Sequence, residues 1–134
     1  QVHAPLNGDA SEDRFGSAVG ISEDGYWIIV SSLNANKVKV FRDNGSSWEQ
    51  VGQDLIAPGS AVGMSSTGSR VIIGDRSDNN SAGRVYVFDY DGATWGDVYQ
   101  TVLSGTSGSR FGGAVGISAD GLGIIISAPY ESVN

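Results

Sequence analysis

Few residues of this chain have side chains that can catalyse a reaction. The only histidine is His3, near one end of the sequence, and there is no cysteine. A Ser-His-Asp triad, a histidine-rich metal site and a thiol nucleophile therefore cannot be assembled within the chain. Adjacent acidic pairs such as Glu12–Asp13 and Glu23–Asp24 are typical of solvated loops. The sequence predicts a protein that is not an enzyme and needs no cofactor.

One loop has the alternating oxygen side chains of a calcium site. Asp75, Ser77 and Asn79 supply them at every second position. The sixth and ninth positions of this loop are Asn80 and Gly83, where a calcium loop would have glycine and a carboxylate. We favour a plain turn rich in Asp and Asn, and calcium binding remains the alternative.

Two tripeptides match the acceptor signal for N-glycosylation. They begin at Asn44 and Asn79, and both fall in loops that we expect to be exposed. If the chain is secreted by a eukaryotic cell, these asparagines are candidates for modification, which would make the protein a glycoprotein.

Two tryptophans, Trp48 and Trp95, recur 47 positions apart (95 − 48). An exposed tryptophan can stack on a sugar ring, which would indicate a lectin, but the recurrence favours a repeated packing role between neighbouring units. The same interpretation applies to Phe15 and Phe111. The arginines that precede them, Arg14 and Arg110, are predicted to hold a carboxylate or carbonyl of an adjoining unit.

Composition excludes two classes of partner. The net charge is −7 and the isoelectric point about 4.4, whereas a nucleic-acid-binding face is basic. No apolar run approaches the roughly 20 residues of a membrane-spanning helix. The chain begins with Gln1 and shows no hydrophobic leader, so we expect a processed product or part of a longer protein.

The strongest pattern is an internal repeat. Arg14–Ser22 (RFGSAVGIS) returns as Arg110–Ser118 (RFGGAVGIS), 96 positions later (110 − 14), and Gly59–Ser65 is a degenerate middle copy. Lys37–Phe41 (KVKVF) returns as Arg84–Phe88 (RVYVF), 47 positions later (84 − 37). Four short segments in a unit of this length are typical of a β-propeller blade.

The alternating and β-branched segments predict an all-β fold of four-stranded antiparallel blades, with about two and a half blades present. The isoleucine-rich segments fit inner strands that are covered on both faces. Predicted strands span residues 17–22, 26–32, 37–42, 47–53, 60–65, 70–74, 84–89, 94–102, 113–118 and 122–128. Residues 1–13 would end the outer strand of a preceding blade and form a linker. Residues 14–55 would form blade one, 56–109 blade two with its following loop, and 110–134 the first half of blade three.

Such a fragment leaves sheet faces and edges uncovered. Either it belongs to a longer chain, which we favour, or neighbouring copies associate so that each completes the next.

The segments Arg14–Val19 and Arg110–Val115 resemble FG-GAP repeats, the blades of integrin α-subunit propellers. Ser127-Ala128-Pro129 stands where that family has Gly-Ala-Pro, and Gly83–Phe88 is similar to the third strand of a bacterial and algal extracellular subgroup. The resemblance covers nearly the whole chain. It implies a seven-bladed propeller, extracellular or at the cell surface, used for adhesion or assembly.

The calcium loops of integrin blades do not carry over to this sequence. The corresponding loops, 22–25, 65–68 and 118–121, are short and contain few carboxylates, whereas calcium takes six to eight oxygen ligands.

These observations predict a non-enzymatic, extracellular structural or adhesive interaction module. Its expected partners are other blades of the same chain or neighbouring copies, together with other proteins or surface glycans. A carbohydrate-binding propeller and a calcium-dependent adhesion module are the alternatives.

Overall fold

A computed structural model describes residues 3–99 and 103–132, and within them the regular secondary structure is almost entirely β-strand. The strands form three antiparallel sheets, none of which is closed on itself. The predicted all-β class is therefore confirmed.

The first sheet has four strands, the second five and the third two. The first contains β1 (Phe15–Ile21), β2 (Trp27–Ser32), β3 (Lys37–Asp43) and β4 (Trp48–Gln50). The second contains β5 (Ala61–Met64), β6 (Arg70–Asp75), β7 (Arg84–Tyr90) and β8 (Trp95–Asp97), and β9 (Leu103–Ser104) also pairs with β7. The third contains β10 (Val115–Ile117) and β11 (Ile124–Ile126). A 3-10 turn, Leu33–Ala35, and one helical turn, α1 (Asp78–Ser81), lie between strands.

Each predicted strand overlaps an observed one, but the fourth strands are shorter than predicted. Residues 47–53 and 94–102 were each expected to form one strand, whereas β4 ends at Gln50 and β8 at Asp97. In the first sheet, Gly52 adopts a φ of +70°, which turns the chain out of the ladder before Leu55 pairs with Val38. Residues 100–102 lie outside the described part of the chain.

The turns that join the first two strands of each sheet share one hydrogen-bond pattern. The hydroxyl of Ser22 donates to Asp24 Oδ1 and accepts the backbone N–H of Trp27. Ser118 does the same with Asp120 and Gly123 in the third sheet. In the second sheet, Ser65 accepts the N–H of Arg70 in the same way. The repeat in sequence is therefore also a repeat in local structure.

The core consists of two interfaces between successive sheets. In the first, Ile29, Val38 and Val40 of the first sheet pack against Val71 and Ile73 of the second, and all five are fully buried. In the second interface, three residues of the second sheet pack against four of the third. They are Ile72, Val85 and Val87 on one side and Val115, Ile117, Ile124 and Ile126 on the other.

The first strands of the three sheets lie side by side. The connecting turns are linked by hydrogen bonds from Glu23 N to Ser66 O (3.3 Å) and from Ser66 N to Ala119 O (2.9 Å). Each sheet therefore meets the next both through its face and through its inner turn.

The expectation that the isoleucine-rich strands are covered on both faces fails in the third sheet. Ile29 and Ile72 are fully buried, but Ile125, at the same position in β11, is 74% exposed. No further sheet packs on that face within the described residues.

Candidate functional site

Trp95 fills the junction between the first and second sheets. Its side chain is 4% exposed, and its indole N–H donates to the carbonyl of Val51 at 2.8 Å. The side chain of Gln53 clamps the Trp95 backbone, accepting its N–H at 3.0 Å and donating to its carbonyl at 2.7 Å. A Cβ on Gly52 would lie 2.6 Å from the indole, so glycine is needed there. The indole face is therefore not free to stack on a sugar.

Trp48 makes the corresponding contact in the first sheet. Its half-buried ring meets the His3 imidazole edge-on, with ring centroids 5.8 Å apart. His3 Nε2 lies 2.9 Å from Asp43 Oδ1. This contact, followed by the N–H of Gly45, holds the pKa of Asp43 below its ordinary range. The only histidine is therefore part of the packing around Trp48.

The two Arg-Phe pairs have the same backbone shape but different surroundings. Arg14 and Arg110 both adopt a φ of +54°. Phe15 meets Phe41 edge-on at 6.4 Å, and Phe111 packs on the second interface. The side chains of Arg14 and Arg110 are exposed.

Neither arginine forms a salt bridge to an adjoining unit in the described part of the chain. Instead, the Arg110 guanidinium lies 4.9 Å from the ring centre of Tyr130, within the third repeat unit. Electrostatic attraction between a cation and an aromatic face accounts for that contact.

The candidate calcium loop forms a turn around Asp75. This carboxylate is 6% exposed, and its Oδ1 accepts the backbone N–H of Ser77 at 3.1 Å and the Ser77 hydroxyl at 2.8 Å. Asn79 lies in α1 with a φ of +46° and is exposed. Among residues 3–99 and 103–132, no group of three or more acidic or histidine side chains is arranged to hold a metal ion.

Both candidate glycosylation sites lie at the surface. Asn44 occupies the tip of the β3–β4 hairpin, where its Oδ1 accepts the N–H groups of Ser46 and Ser47 at 2.9 and 2.8 Å. Asn79 is exposed on the turn between β6 and β7. Their exposure agrees with the sequence interpretation, and modification itself remains a prediction.

An open cleft of about 700 Å³ lies where the hairpin ends of the first sheet meet Tyr90 of the second. Arg42, Glu49 and Asp24 line it beside Trp27. A hydrogen bond from Ser22, then the N–H of Tyr26, lowers the pKa of Asp24, and Arg42 acts in the same direction. The cleft therefore carries fixed charges of both signs.

The aromatic floor of this cleft is already covered. The Arg42 guanidinium lies 5.1 Å from the Trp27 ring centre, and a Cβ on Gly68 would lie 2.4 Å from the same ring. Trp27 is thus a packing residue between the first sheet and the inner turn of the second.

The sequence did not reveal that Trp27 and Arg70 are equivalent residues. Each begins the second strand of its sheet. Arg70 donates to Gly121 O at 2.9 Å, and so contacts the inner turn of the third sheet as Trp27 contacts Gly68. Arg70 also pairs with Asp89 through two hydrogen bonds, of 2.5 and 2.6 Å. Both residues come two positions after a turn glycine, and that shared spacing was the available signal.

Two apolar faces, at opposite ends of the stack, are left open by the residues that the structure describes. On the first sheet, Val19 is 67% and Ile21 64% exposed. On the third sheet, Ile125 is 74% exposed beside a shallow groove of about 260 Å³ that includes Ala114 and Gly116. Exposed apolar faces of this kind are candidate interaction sites.

No protein-family model matches the chain, and a search of curated proteins also returns no match. No helix among the described residues is long and apolar enough to cross a membrane. The fold and its interfaces define an all-β protein whose three sheets stack through equivalent positions.

Proposed function

We propose that the three sheets are blades of a β-propeller of the FG-GAP type and that the protein is a non-enzymatic interaction module. Two interfaces built from equivalent residues carry this proposal. Ile29, Val38 and Val40 form one side of the first interface. The equivalent residues Ile72, Val85 and Val87 form the same side of the second. Face-to-face stacking of consecutive antiparallel sheets, with their first strands side by side, is the packing expected of propeller blades and supports this proposal.

The role we assign is structural or adhesive, at the cell surface or outside the cell. Most of the side chains singled out by the sequence lie in packing contacts, as His3, Trp95 and Phe111 do. Two open apolar faces are available for assembly. The net charge of −7 disfavours binding to anionic surfaces and favours solubility.

Two experiments test this role. Antibodies raised against the chain should label intact, unpermeabilised source cells or their surrounding matrix, and labelling only after permeabilisation would contradict an extracellular location.

A glycan array then separates a protein-binding module from a lectin. Specific sugar binding that is lost in Trp48→Ala, with the fold intact, would favour the carbohydrate-binding alternative.

The calcium-dependent alternative has its own test. Calorimetric titration with calcium chloride should show no binding that depends on Asp75, because two donors already occupy Asp75 Oδ1. Micromolar binding that disappears in Asp75→Ala would instead establish a calcium-dependent module.

A further inference from the structure

Every sheet carries a cross-strand glycine–isoleucine pair on the same one of its two faces. In the first and second sheets, that face packs against the next sheet along the chain. The register places Gly20 opposite Ile29, Gly63 opposite Ile72, and Gly116 opposite Ile125. In each pair, the isoleucine Cγ2 lies about 3 Å from where a Cβ on the glycine would be: 2.9, 3.1 and 2.9 Å. The first two pairs are covered by the next sheet, and the third is open.

The opposite face of each sheet carries two large apolar residues on its first strand. In the second sheet these are Val62 and Met64, half-buried on the first interface, and in the third Val115 and Ile117, half-buried on the second. Their equivalents in the first sheet, Val19 and Ile21, are 67% and 64% exposed. This pair has no neighbouring sheet within the described residues.

One contact shows how the two faces fit together. Ile117 Cγ2 lies 3.5 Å from where a Cβ on Gly63 would be, so the isoleucine packs over the glycine of the preceding sheet. Ile21 is equivalent to Ile117, and Gly116 is equivalent to Gly63. The shallow groove at Gly116 and Ile125 therefore lies at the position on the third sheet that, on the second sheet, receives Ile117.

We propose that the open face of the first sheet binds the open face of the third sheet in a second copy of this chain. The inference rests on the proposed blade arrangement and takes the second of the two arrangements that the sequence leaves open, in which neighbouring copies complete one another. The contact continues an interface that the chain already builds twice. It is heterologous: one copy contributes Val19 and Ile21, and the other contributes Gly116 and Ile125. Heterologous contacts of this kind close into rings or extend as filaments.

The outer half of the first sheet's open face is already covered by residues 3–13. Asp9 reaches Lys39 at 2.8 Å, and His3 packs edge-on against Trp48. Only the inner half, around Val19 and Ile21, is left for the second copy. The contact is therefore small, and we expect association to become visible as the concentration rises towards about 1 mM.

Sedimentation velocity on the whole chain tests this proposal with two knock-out variants and one control. Ile21→Asp removes the first face and Ile125→Asp removes the other, while Ile56→Asp changes an isoleucine that is 69% exposed on a linker. The wild type and Ile56→Asp should associate, and each knock-out alone should stay monomeric. An equimolar mixture of the two knock-outs should give one-to-one dimers and nothing larger, because it retains a single intact interface.

Several results would overturn the proposal: a wild type that stays monomeric at the highest concentration, association that persists in either knock-out, or a mixture that forms no dimer. Circular dichroism confirms that each variant is folded, and Ile21→Thr and Ile125→Thr give milder substitutions that preserve β-propensity. Added salt should strengthen the association, since two copies of charge −7 repel each other. A monomeric wild type would rule out the association but not the proposed blade arrangement. The unfolding free energies of Ile29→Ala and Ile72→Ala test that arrangement separately.

Discussion

The indole N–H of Trp95 donates to the carbonyl oxygen of Val51 at 2.8 Å, joining the second sheet to the backbone that leaves the first. We expect Trp95→Ala to lower the free energy of unfolding by about 3–5 kcal/mol, because it removes a buried aromatic ring. Trp95→Phe should cost less, since it leaves the Val51 carbonyl without its donor but keeps much of the packing. Urea denaturation followed by circular dichroism measures both.

Trp48→Ala is the matched control for that prediction. Trp48 is only half-buried against His3, so its loss should cost clearly less than the loss of Trp95. If both variants lost the same unfolding free energy, the result would contradict the deeper burial of Trp95 in the structure.

Truncation of the equivalent isoleucines tests whether the two interfaces are alike. Ile29→Ala and Ile72→Ala should each destabilise the chain by about 2–5 kcal/mol, because both side chains are fully buried. Ile125→Ala, at the same position in the third sheet, should change the unfolding free energy of the monomer by less than about 0.5 kcal/mol. A large effect of Ile125→Ala at low protein concentration would contradict the open face.

The Arg70–Asp89 pair predicts a dependence of stability on acid pH. The hydrogen bonds from Arg70 hold the pKa of Asp89 below its ordinary value of 3.8 in the folded protein. A group whose pKa is lowered by folding stabilises the fold above its unfolded pKa. That stabilisation is lost as the pH falls through the folded value. The melting temperature should therefore fall from about pH 4 downwards.

Asp89→Asn isolates that contribution, because asparagine does not titrate and pairs only weakly with the guanidinium. The variant should be less stable than the wild type at neutral pH, and the difference should shrink under acid conditions. A constant difference at all pH values would contradict the role assigned to the ion pair.

A positive φ and a close neighbour coincide at Gly59. Its φ is +65°, and a Cβ there would lie 2.6 Å from Ser31 Cβ and 2.7 Å from Val38 Cγ2. Gly25 has a φ of +77° with nothing within 4 Å, so Gly25→Ala should cost about 1 kcal/mol from the backbone alone. Gly59→Ala should cost substantially more, and thermal unfolding of the two variants provides the comparison.

The sequence was sufficient to place most strands because their signals are local. The turn glycines, the β-branched segments of β2 and β6, and the alternation in β3 and β7 each depend on neighbouring residues alone. The breaks after Gln50 and Asp97 were missed, because an isolated glycine such as Gly52 or Gly96 can lie within a strand as well as end it. The positive φ of Gly52 becomes evident only in the structure.

Contacts between sheets were the least predictable features. The recurrence of Trp48 and Trp95 indicated packing, but nothing in the sequence shows that Trp95 bonds to Val51 or that Arg110 stacks on Tyr130. Trp27 and Arg70 escaped notice because they differ in chemistry while sharing a position. A repeat preserves the place of a contact more faithfully than the residue type that makes it.

The central claim is that successive sheets dock through one repeated interface, and duplication of a unit tests it most directly. Inserting a second copy of residues 61–113 after residue 113 joins Gly113 to Ala61, the residue equivalent to Ala114. If the sheets are interchangeable, the added sheet forms one more interface, and both the unfolding free energy and its denaturant dependence should rise. Unchanged or lower stability, with the inserted copy unstructured, would contradict the claim.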